Sequence, residues 1–152
     1  MSSSKRLRPV VDHAESQENQ QHQKLLQATA QLRAAEQQLA QLQDYRRSYT
    51  AGSASGDASA LGSVGWRDRH VFLSRLNEAV SQQQARVGEH QQIVERERQR
   101  WVDCRVRAQS LQKVVDKREQ RERAAELRRE QAAVDETSAR LAARRSAADA
   151  DR

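Results

Sequence analysis

The sequence predicts an all-α protein, an antiparallel two-helix coiled coil in which the second arm of the helical hairpin is the longer. Three observations lead there. Only 36% of the 152 residues are hydrophobic and 3% aromatic, 32% are charged, and there is one proline. Such a chain has little material for a layered core, and its Gln, Glu, Arg and Ala suit long helices. Apolar residues return every 3.5 positions in two separate stretches, the spacing of a coiled-coil seam. Between the stretches, "TAGSASGDASALGSVG" at 50–65 holds four of the five glycines.

Residues 1–8 read as a flexible start. The first helix is expected over 9–49, because proline suits a first helical turn, where its missing N–H costs nothing. Its seam runs Leu25, Ala28, Leu32, Ala35, Leu39 and Leu42, and weakens backward through Gln21, Glu18, Ala14 and Val11. Past Tyr49 the glycines make further helix unfavourable, so 50–65 is a link. The second helix is expected over 66–140. Leu73, Leu76, Val80, Val87, Val94, Trp101, Cys104, Ala108, Leu111 and Val115 share one register, interrupted by Gln83, His90 and Glu97. Gly88 costs about 1 kcal/mol there relative to Ala. After Val115 the apolar positions shift to Leu127, Val134 and Leu141, and 141–152 reads as a flexible tail.

Folded back on itself, the hairpin sets Leu42 against Leu73 and Leu76, Leu32 against Val87, and Val11 near Cys104. Residues beyond about 110 then lack a partner within the chain. Fully burying a Leu or Val is worth roughly 1.5–3 kcal/mol, against about 1–2 kcal/mol of backbone entropy per ordered residue. A seam rich in Ala and Gln is therefore marginal alone, and a surrounding ring, a second copy or another protein is expected to cover the overhang.

The net charge of +6 sits mainly in the second half: residues 1–65 carry seven basic and six acidic side chains, residues 66–152 twenty and fifteen. Signs alternate, as in "DKREQRERAAELRRE", which reads as a solvated helix face rather than a nucleic-acid block. No apolar run spans a bilayer, "MSSSKRLRPVV" lacks the apolar core of a leader, and one cysteine cannot close an internal disulfide. A cytoplasmic protein without membrane insertion is expected.

No catalytic residue, metal site or cofactor emerges. His13, His22, His70 and His90 are not spaced at three or four, and the glycines of the link lack the lysine of a phosphate loop. The chain does not read as an enzyme. His90 suits a polar layer that fixes register, Cys104 a small apolar seam residue, and Trp66 and Trp101 packing residues. Phe72, Leu76, Ala79 and Gln83 form a second stripe, with Phe72, the sole phenylalanine, placed either to pack on Tyr45 or Tyr49 or to anchor a partner.

The stretches "AEQQLAQLQDYRRSY", "FLSRLNEAVSQQQ" and "RQRWVDCRVRAQSLQKVVDKR", with Tyr45, Tyr49, Trp66, Phe72 and Trp101 as landmarks over about residues 9–130, resemble the FliJ family of the flagellar type III export apparatus. The resemblance implies a hairpin similar to the stalk subunit of rotary ATPases. Its open end, about Pro9 to Leu32 and Cys104 to Glu130, would enter the hexameric export ATPase and promote assembly and hydrolysis. The rod would also bind the cytoplasmic domain of the export gate and export chaperones, at the periphery of the inner membrane. Gate contacts would fall on Phe72, Leu76, Ala79 and Gln83, the last a histidine in the family pattern. ATPase contacts would fall on Leu111, Val115, Arg118, Arg121 and Leu127. Three alternatives stay open: the equivalent injectisome stalk, a self-assembling coiled-coil scaffold, and a basic nucleic-acid-binding helix.

Overall fold

The computed structural model describes residues 2–54 and 63–152. Two helices make up the described chain: α1 over Ser3–Ala54 and α2 over Ser63–Ala150, the longer. They pack against each other as a helical hairpin. Residues 55–62, the centre of the expected link, lie outside the described residues, while 50–54 and 63–65 are helical.

Helix α1 begins before Pro9 and runs past Tyr49. Proline inside a helix removes one backbone hydrogen bond and crowds the preceding turn, at a cost of about 3 kcal/mol. Contacts with α2 hold the turn before it. Glu122 accepts the Ser4 N–H at 3.0 Å and the Ser4 hydroxyl at 2.6 Å, and Arg118 Nη1 donates to Ser3 Oγ at 2.6 Å. The first turn of α1 has no acidic residue of its own. Glu122 therefore supplies both the acceptor that the free N–H groups need and the negative charge that suits a helix N-terminus. At the other end, α2 continues through "RRSAADA" to Ala150, helped by strong helix formers and by the Arg140–Glu136 pair at 2.7 Å.

The chain divides into two compact units, one of residues 1–16 with 105–152 and one of residues 17–104. Within the larger, Ala28 and Ala35 of α1 and Leu76, Val80 and Val87 of α2 are buried. Arg46 Nη1 reaches Asn77 Oδ1 at 3.4 Å, and the side chain of Gln21 donates to the carbonyl and the carboxylate of Glu97. His22 and Trp101 set their rings 5.5 Å apart. Within the smaller unit, Val11 and Ala14 are buried on α1, and Ala108 and Val115 on α2.

Burial along each helix follows the expected register as far as Val115 and departs from it beyond. In α1, protected positions alternate at three and four from Ser4 to Tyr49. In α2 the same alternation runs from Leu73 through Ala108 and Leu111 to Val115, then Leu111, Val115 and Glu119 follow at four and four, leading to Glu122. A doubled step of four slips a heptad seam. Val11 belongs with residues 105–152. Partners also extend past residue 110, to Glu122; exposure of every residue begins only at Glu126 and lasts to Arg152.

The Glu122 contact is sensitive to acid. Hydrogen bonds from the Ser4 hydroxyl, then from its backbone N–H, hold this carboxyl below the ordinary 4.5. A depressed folded pKa means the contribution is present above the unfolded value and lost as pH falls through the folded one. In NMR titration, the Ser4 amide proton is expected to shift with a midpoint below 4.5, and to stay flat in Glu122→Gln. A flat wild-type curve would mean the contact is absent in solution.

Candidate partner-binding surfaces

The stripe at Phe72, Leu76, Ala79 and Gln83 splits in two. Leu76 is buried and Gln83 is 5% exposed, its amide donating to the Ala35 carbonyl at 3.0 Å and to Gln38 Oε1 at 3.2 Å. Both side chains belong to the seam, because a four-three-four spacing is also the seam's own. Ala79 is half-buried. Phe72, at 39% exposure, lies edge-on to Tyr45 with centroids 6.1 Å apart and tilted on Tyr49 at 4.9 Å. It packs on α1 and still presents a face to solvent. Among these four, Phe72 and the rim of Ala79 are what a partner can reach while the helices stay paired.

Trp66 departs from the expected packing role. It is 63% exposed, with its ring stacked on His70 of the next turn at 5.4 Å and 7°. Trp66 and His70 are four apart, the spacing at which helical side chains meet, so the stack was legible in the sequence. Val71 and Tyr45 are also exposed, which gives this part of the larger unit most of the chain's aromatic surface. Trp101 is half-buried against His22, and Cys104 is a half-buried free thiol.

In the smaller unit, Val115 is 1% exposed and Leu111 half-buried, so pairing with α1 takes up these two expected ATPase contacts. Arg118 donates to Ser3, Arg121 is exposed, and Leu127 is 65% exposed. Leu127, Val134 and Leu141, seven residues apart, are all exposed on the stretch of α2 beyond its last described bond to α1, at Glu122.

The larger unit holds one further polar feature. His90 Nδ1 is buried without a hydrogen-bond partner, beside Gln31, Ala34, Ala35, Gln38, Gln83 and Arg86. Small alanines on α1 leave room there, which fits a polar layer better than a close-packed one. Among the described residues, no cluster of three or more His, Cys, Asp or Glu could hold a metal, and no helix is long and apolar enough to cross a membrane.

The family model described as the flagellar FliJ protein matches residues 3–147. The chain belongs to this family. No curated protein and no solved structure matches it. FliJ membership supports a flagellar, export-related role, and the family is a non-catalytic export component. The matched range takes in all the partner surfaces above. It also includes most of the unaccompanied stretch of α2, so that stretch is part of the family's pattern.

Proposed function

We propose that this FliJ-family protein is a stalk or coupling component of flagellar protein export. The end that carries both termini engages the export ATPase ring and promotes its assembly and hydrolysis. The aromatic surface around Phe72 engages the cytoplasmic domain of the export gate, and the same hairpin meets export chaperones. One observation supports this above the rest: α2 continues for more than six turns past its last contact with α1, with Leu127, Val134 and Leu141 in water. Such a stripe on an unaccompanied helix is unfavourable unless something covers it. The protein would act by touching one ATPase arrangement more than another, shifting the population of assembled or closed interfaces without chemistry of its own.

A second reading has its own support. The seven-residue spacing of those three side chains is also a heptad stripe, which a second copy of the chain could cover as a self-assembling scaffold.

One experiment separates them. The purified export ATPase of the same flagellar system is titrated with the full chain, a version ending at Ala125, and Phe72→Ala. Truncation there removes none of the described hydrogen bonds or ion pairs between the helices, so helicity per residue is expected to hold while ATPase stimulation is lost. Phe72→Ala is expected to stimulate like wild type but bind the gate domain about tenfold more weakly. Undiminished stimulation by the shortened chain would sink the ATPase assignment, and a concentration-dependent dimer of the full chain, absent on truncation, would favour the scaffold.

A further inference from the structure

Charge along the chain alternates in sign, yet folding sorts it. The unit of residues 1–16 and 105–152 carries sixteen basic and eleven acidic side chains, a net +5; the unit of residues 17–104 carries eleven and ten. Within the first, pairing with α1 draws carboxylates inward. Glu122 is hydrogen-bonded to Ser4, and Glu119 lies 3.8 Å from Arg8.

One outward arc of α2 is cationic. Lys113, Lys117, Arg121 and Arg128 follow at four, four and seven residues, within an arc of about 80° at 100° per residue. Val115, buried against α1, lies on the far side of the helix. All four cations are exposed, and among the described residues none has an ion-pair partner. Val106 and Val114 are exposed beside them. Like charges four apart destabilise a helix by a few tenths of a kcal/mol per pair. Other arginines are offset by a carboxylate within their own helix, Arg98 by Glu95, Arg100 by Glu97, Arg47 by Asp44 and Arg140 by Glu136.

The geometry points to a docking surface on the outer face of α2, centred on Lys113, Lys117 and Arg121, for a carboxylate-rich protein surface. About 6 Å separates successive cations along the axis, a spacing that acidic side chains on a facing helix match. A lipid surface is disfavoured, because two valines make too small an apolar face to insert. This inference rests on the reading that the end with both termini engages the export ATPase, and it names the chemistry of the ATPase surface that meets it.

The test uses the full chain and the purified export ATPase of the same system at 50 and 500 mM NaCl. The variant is Lys113→Gln/Lys117→Gln/Arg121→Gln. Its charge-matched control, in the other unit and outside the end assigned to the ATPase, is Arg33→Gln/Arg75→Gln/Arg96→Gln. At low salt the stripe variant is expected to bind about ten- to a hundredfold more weakly, with helicity and Tm unchanged or slightly raised. The control is expected to stay within twofold, and the gap to close at high salt, where the screening length falls to a few ångströms. Equal binding by wild type and stripe variant would overturn this inference and leave the ATPase reading standing. No binding by wild type would overturn both. Tighter, stripe-dependent binding to duplex DNA or to phosphatidylserine vesicles than to the ATPase would overturn it too, assigning the row to phosphates.

Discussion

Val80→Asp is expected to lower stability by about 3–5 kcal/mol, because it places a carboxylate with no partner where a side chain is now 2% exposed. Val80 sits midway along the buried run Leu76, Val80, Gln83 and Val87, in the unit that also buries Ala28 and Ala35. No described cation is bonded at that layer, so the new charge must stay desolvated or part the helices. For a chain of this size, each kcal/mol corresponds to about 2–4 °C in Tm, so the loss is a large one in circular dichroism melts. Ser81→Asp, one residue away on the exposed face, is expected to stay within about 0.5 kcal/mol. Equal melts for the two variants would place Val80 outside the seam.

Gln83 gives the second large effect and the more informative contrast. Gln83→Ala removes two hydrogen bonds to α1 and leaves a gap, at an expected cost of about 2 kcal/mol. Gln83→Leu keeps the volume and exchanges a satisfied polar layer for an apolar one, so stability is expected to equal or exceed wild type. A single polar layer in a coiled coil specifies register more than it stabilises. Denaturant unfolding checks both. Destabilisation by Leu as large as by Ala would mean that the hydrogen bonds outweigh burial. Gate-domain binding is expected to survive Gln83→Leu within twofold, since this side chain faces α1; a tenfold loss would return it to the partner surface.

Much of the hairpin was legible in one dimension. Leu25 to Leu42 and Leu73 to Val94 carry the three-four spacing in their own letters, and Ala28, Ala35, Leu76, Val80 and Val87 are buried as that spacing requires. The start of α1 was not legible, because the residues that extend it past Pro9 are Arg118, Glu119 and Glu122, more than a hundred positions away. The doubled step at Leu111, Val115 and Glu119 was hidden as well. Arg118 and Glu119 are both charged, so the letters do not show that Glu119 takes the next protected position. Of the candidate surfaces, Phe72 packs on Tyr45 and Tyr49, one of the two placements its position allows, whereas the cation row was invisible. Only pairing decides which carboxylates of "DKREQRERAAELRRE" turn inward.

The bond between Ser4 and Glu122 joins residues 118 positions apart, and that span sets a timetable. A ribosome adds about 5–20 residues per second, so the first turn of α1 waits roughly 6–24 s after its own synthesis before its cap exists. Through that interval Val11 and Ala14 have no neighbour in which to bury, and isolated short helices are marginal in water. During synthesis, the hairpin's first-made residues are therefore the last to find their partners. A nascent chain arrested before residue 105 is left with sixteen N-terminal residues that have nothing to fold against.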